Sequence, residues 1–117
     1  MKDANTMISS VLVKLKVAQH KVGFKYLRDV ISIMNSGECG RLWDAYTIVA
    51  KRYDVTIDAV EHGCRKACRE AIANSTSKAK IDIFGFDITK ENKMGRDYFK
   101  TGEFVLYILS YINSKKK

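Results

Sequence analysis

The side chains with the most recognisable chemistry lie between Lys51 and Arg69. Asp58, His62, Arg65 and Arg69 recur at intervals of 4, 3 and 4 residues, and so do Val60, Cys64, Ala67 and Ala71. On an α-helix the two sets fall on different faces, one polar and one apolar. A polar face of this make-up can read DNA. Arg65 can bind guanine O6 and N7 bidentately, His62 can donate or accept at a base edge, and Ala59 can touch a thymine methyl. Lys66 and Arg69 lie further along and suit phosphates, as do Lys51 and Arg52 just upstream and Thr56 between them.

Other chemistries are poorly supported. Cys64 and Cys68 share a helix face and His62 lies close in sequence. Zinc wants four such ligands, and Cys39 and His20 complete a set only by a coincidence of folding. Both helix cysteines are therefore read as core residues, with no metal and no cofactor. A Cys–His nucleophile pair is excluded on the same ground, because a buried thiol is inert. There is no glycine-rich phosphate loop and no obvious pair of acids, so the chain is not read as an enzyme. His20 is assigned to the core or to a cap near the start of the second helix.

The elements that must position the polar face follow from the segment Ile48–Val60. Its spacing matches a helix-turn-helix over about residues 42–72. Ala50, on the first helix, is small enough to let the second approach. Asp54 falls at the corner, which asks for a left-handed backbone that Asp tolerates better than most residues. Val55 is expected to plug the gap between the helices, and Val60 to pack back on the first. Thr56 is a good N-cap through its hydroxyl, and Asp58 suits the positive end of the helix dipole.

Around this motif the hydrophobic pattern predicts further helices. Met7, Ile8, Val11, Leu12 and Leu15 mark a first one, ending near Val17. Phe24, Leu27, Val30, Ile31 and Met34 mark a second, which stops at Asn35-Ser36-Gly37. Leu42, Ala45, Tyr46, Val49 and Tyr53 give the third, and the face through Val60 gives the fourth. Beyond Asn74 the pattern degrades. Ile81, Ile83 and Phe84 suggest a short helix or turn on the core, with Ile81–Ile83 and Phe86–Ile88 open to short strands instead. A polar loop is expected through about Gly102. A last helix then opens at Thr101 or Gly102, apolar nearly all round from Phe104 to Ile112, as a central helix or a protein interface would be.

Composition bounds the partners. The 117 residues hold 21 Lys+Arg against 13 Asp+Glu, a formal charge of +8, which favours polyanions. At 46% hydrophobic the chain is too apolar for disorder. Its length suits one domain, residues 1–117, able to bury roughly two-thirds of its unfolded surface. The longest apolar run, Phe104–Leu109, is far short of the ~20 residues a membrane span needs, and the N-terminus leads into no signal-like core. Three cysteines cannot all pair internally, which suits a reducing, cytoplasmic setting.

Several motifs extend beyond the corner. They are His20-x-x-Gly23-x-x-Tyr26-Leu27-Arg28, then Tyr46-x-x-x-Ala50-Lys51-x-Tyr53, then Thr56, Val60, Glu61, Arg65 and Ala67, then Phe84-Gly85 and Glu103-Phe104. With these the chain, from about Ile8 to Ile112, resembles the C-terminal effector domains of sporulation master response regulators, the stage zero sporulation protein A family. The resemblance implies an all-α fold of about six helices around a helix-turn-helix. It implies sequence-specific promoter binding to double-stranded DNA, often in tandem. It also implies contact with the sigma subunit of RNA polymerase, through roughly residues 74–84. Glu61 and Arg65 match the family's recognition helix, which adds Glu61 to the base-reading set.

The departures are informative too. Two arginines of the family's recognition helix are Ala59 and His62 here, so the DNA target is expected to differ. A proline early in the first motif helix is replaced by Thr47. The family's phospho-accepting receiver domain is absent from these residues. An alternative function is a protein-interaction module that binds a sporulation regulator or sigma factor through the last helix. A third is a DNA-binding homodimer paired through Phe104–Ile112. Salt separates the first two, because counterion release weakens only the DNA complex steeply.

Overall fold

The first helix, α1, is Ala4–Lys14, and the way it stops shows how local sequence sets the architecture. Lys16 takes a left-handed backbone, φ 65°. Its N–H donates to the Val13 carbonyl, and the Val17 N–H donates to that of Leu12. This is a Schellman closure, and it turns Val17 into the core. The chain is a computed structural model, which describes residues 4–85 and 101–115.

Five more helices follow among the described residues: α2 (Val22–Ser36), α3 (Leu42–Tyr53), α4 (Ile57–Asn74), α5 (Ser77–Phe84) and α6 (Thr101–Lys115). There is no strand among them, and the fold is all-α. Residues Ile81–Ile83 are helical, within α5, rather than extended. Thr76 caps α5 by accepting from the Ala79 N–H, and Gly85, at φ 90°, ends it. The alternative strand at 86–88 and most of the polar loop expected through about Gly102 lie outside the described residues.

The core is built as the apolar periodicity requires. α2 packs on α1, α3 and α4, and buries Phe24, Leu27, Val30 and Ile31. α6 packs on α1, α2, α4 and α5. Its Phe104, Val105, Ile108 and Ile112 are buried, which leaves Leu106 as its large exposed apolar side chain. The apolar girth of α6 is thus mostly spent on the core, with Phe84 of α5 packed 5.7 Å from the ring of Phe104.

Two expectations are corrected. His20 is exposed, and the N-cap of α2 is Lys21, which makes no side-chain cap bond. A polar ring beside the open Val17–Lys21 turn gains more from water than from the core. Val55 is 36% exposed and does not plug the corner. Its contribution is through the backbone.

Candidate nucleic-acid interface

The corner between α3 and α4 is fixed by Asp54, at φ 55° and ψ 51°. The Val55 N–H donates to the Ala50 carbonyl at 3.0 Å, and the Asp54 N–H reaches the Lys51 carbonyl at 3.4 Å. These two bonds satisfy two of the four orphan carbonyls at the end of α3, and three residues, Asp54 to Thr56, link it to α4. Thr56 then caps α4, its Oγ1 accepting from the Ala59 N–H at 3.0 Å. Ala50 and Val60 are buried on either side of the corner, so the helices close on each other.

Across α4 the burial follows the sequence pattern. Val60, Cys64, Ala67 and Ala71 are buried, while Asp58, Ala59, His62, Arg65, Lys66 and Arg69 are exposed. Lys51, Arg52 and Thr56 are exposed as well, and Glu61 is half-buried. The face is pre-wired. Arg65 reaches Glu61 Oε1 at 3.4 Å, and its other terminal nitrogen lies 3.3 Å from His62 Nδ1. A base that takes Arg65 therefore draws the guanidinium from neighbours on the same helix, an exposed i,i+4 pair that is worth only a few tenths of a kcal/mol.

Behind the corner lies a cluster that sequence spacing does not reveal. Asp29 of α2 is buried, and its Oδ2 accepts a hydrogen bond from the Tyr53 hydroxyl at 2.5 Å. Arg28 Nε lies 3.0 Å from Oδ1, and a terminal nitrogen of Arg52 lies 3.6 Å from Oδ2. Arg52 is thus tied to α2 as well as available to a phosphate. Burial, and then the Asp29 carboxylate, raise the pKa of the Tyr53 phenol, so it stays a donor. Asp29 lies off the apolar stripe of Leu27, Val30 and Ile31, so its burial carries no signal in the periodicity of α2.

The cysteines behave as packing. Burial pushes the Cys68 thiol up to about 12 and raises that of Cys64 as well. Among the described residues no group of three or more His, Cys, Asp or Glu could hold a metal ion. None of the described helices is long and apolar enough to cross a membrane.

This geometry can be set beside known families. The family model described as sporulation initiation factor Spo0A C terminal matches residues 8–111. The chain belongs to the Spo0A C-terminal family. That family is a sporulation-initiation DNA-binding effector domain rather than an enzyme family. The all-helical fold agrees with it. The family's match covers all six described helices apart from the first residues of α1 and the last of α6.

Proposed function

We propose that this Spo0A C-terminal domain is a sequence-specific, double-stranded DNA-binding regulator of transcription, and that α3 and α4 form its helix-turn-helix. α4 enters the major groove. Ala59, Glu61, His62 and Arg65 read bases, while Lys51, Arg52, Thr56, Lys66 and Arg69 meet phosphates. The observation that carries this reading is the left-handed Asp54 corner, which leaves the polar face of α4 open. One domain spans residues 1–117 and works in the cytoplasm.

The competing reading, a protein-interaction module built on α6, is less well supported, because most of the apolar side chains it needs are buried. A sigma-subunit contact fits α5 better, where Ile81 is 53% exposed. Homodimerisation through Phe104–Ile112 would have to use Leu106 and the half-buried Tyr107, Leu109 and Tyr111.

The test is selection of binding sites from random duplex DNA, read at two salt concentrations. The expected result is one enriched sequence whose affinity falls steeply with salt. Recovery of no preferred sequence at either salt would remove base readout from α4.

A further inference from the structure

Beside the exposed face of α4 runs a groove of about 500 Å3. One wall is α4, through Ala59, His62 and Lys66, and the other is the start of α2, through Lys21 and Val22. Two glycines bring these walls together. A Cβ on Gly23 would lie 2.7 Å from the Gly63 carbonyl oxygen, and one on Gly63 would lie 2.8 Å from Cδ2 of Tyr26. Neither position has room for a side chain, so α2 and α4 touch backbone to backbone. The consequence is that the first turns of α2 flank the proposed reading face instead of standing behind it.

Those turns carry charge outward. Lys21 and Lys25 are exposed. Lys21 pairs with Glu70 at 3.4 Å, with its side chain 57% exposed. An exposed pair of this kind opens readily when a stronger anion arrives. Lys25 Nζ stands 5.5 Å from the centre of the Tyr53 ring, at the end of α3. One lysine therefore lies beside the groove and the other beside the helix-turn-helix corner. Val22, 56% exposed, lines the groove with Lys21.

We propose that Lys21 and Lys25 form a second backbone-binding strip, which holds the phosphates of the DNA strand flanking Ala59, His62 and Lys66. The strip rests on the helix-turn-helix reading, since it acts only on a duplex seated on α4. Its charge matches a polyanion, and its position next to base-reading side chains gives it a role in orientation rather than in sequence choice. Glu70 keeps Lys21 in place in the free protein. It also accepts a hydrogen bond from the Ala18 N–H at 3.0 Å, which ties the α1–α2 turn to α4.

The experiment compares Lys21→Gln/Lys25→Gln with Lys14→Gln and with the unaltered protein. Lys14 pairs with Asp82, away from α4, and reports the effect of one charge lost outside the strip. Binding to a random-sequence duplex and to the selected site is measured across a salt series. The double variant should lower the slope of log affinity against log salt by about 2, at roughly 0.9 per lost phosphate contact. Its base preference should be unchanged, and its thermal melt should match that of Lys14→Gln. A slope equal to that of Lys14→Gln, with selective binding intact, overturns the strip and leaves the α4 reading standing. If the unaltered protein binds neither duplex, both fall. If selective binding survives Arg65→Ala unchanged while the slope still drops in the double variant, the strip stands and Arg65 drops out of the base readout.

Discussion

The hydroxyl of Tyr53 donates to the buried carboxylate of Asp29, and this bond joins the last residue of α3 to the middle of α2. It locks the helix end from which the corner departs. A hydrogen bond to a charged group contributes about 1.5–3 kcal/mol, and the half-burial of Tyr53 puts it at the lower end. Tyr53→Phe is expected to lower stability by about 1–2 kcal/mol while the ring still packs on Tyr26. Asp29→Ala should do more harm, because it also removes the partner of Arg28 and Arg52. Urea denaturation of the two variants checks the order. Equal stability of Tyr53→Phe and the parent would show that water replaces the bond without loss.

Asp54 supports a second prediction. A non-glycine residue held at φ 55° pays a steric penalty that glycine does not. Asp54→Gly should therefore be neutral or slightly stabilising. Asp54→Val should lose about 1–2 kcal/mol, since a β-branched side chain fits the left-handed region worst. Thermal melts of both variants decide it. A valine variant as stable as the glycine one would mean that the corner can be reached by another backbone path.

Gly23→Ala sets two effects against each other. Alanine favours a helix by up to ~1 kcal/mol over glycine, and less in a first turn. The new methyl would meet the Gly63 carbonyl at 2.7 Å, and a backbone carbonyl cannot swing aside as a side chain can. Overpacking of this kind costs about 1–3 kcal/mol, so the variant is expected to be less stable. Its DNA affinity should fall further than stability alone explains, because α2 must move away from α4. Calorimetry paired with a binding titration separates the two losses.

Much of this design was legible in the residues. The periodicity of Leu42–Tyr53 and of the Val60–Ala71 face places α3 and α4, since a helix that buries one stripe must repeat it. Asp54 and Thr56 act as their types foretell. Other parts were hidden for physical reasons. Val55 is an apolar residue whose structural contribution is a backbone N–H, and side-chain chemistry says nothing about that. The Asp29 cluster and the Gly23–Gly63 crossing join residues distant in sequence, so no local spacing announces them. The tie between Arg65 and Glu61 follows from i,i+4 spacing, whereas the groove beside Lys21 emerges only once α2 is laid on α4.

The cysteines give a test independent of DNA. Cys64 and Cys68 are buried and their thiols are raised, so they stay protonated near neutral pH. Cys39 is half-buried, outside the helices. Alkylation of the native protein with iodoacetamide, followed by mass spectrometry, should modify Cys39 alone, and all three cysteines after denaturation. Rapid native labelling of Cys64 would place the apolar face of α4 in solvent and undo the proposed orientation of the helix.

Arg65 and Lys66 are adjacent on α4 but should fail differently when truncated. Arg65 leans on Glu61 and His62, so its guanidinium is already held over the exposed face. Arg65→Ala should cost about 1–3 kcal/mol of specific binding and relax one base position. Lys66 borders the groove beside α2. Lys66→Ala should weaken all sequences about equally and lower the salt slope by roughly 0.9. Binding-site selection repeated with each variant distinguishes them. If Lys66→Ala changed base preference while Arg65→Ala left it intact, the face that meets the bases would be turned toward α2, and Ala59 and His62 would become its centre.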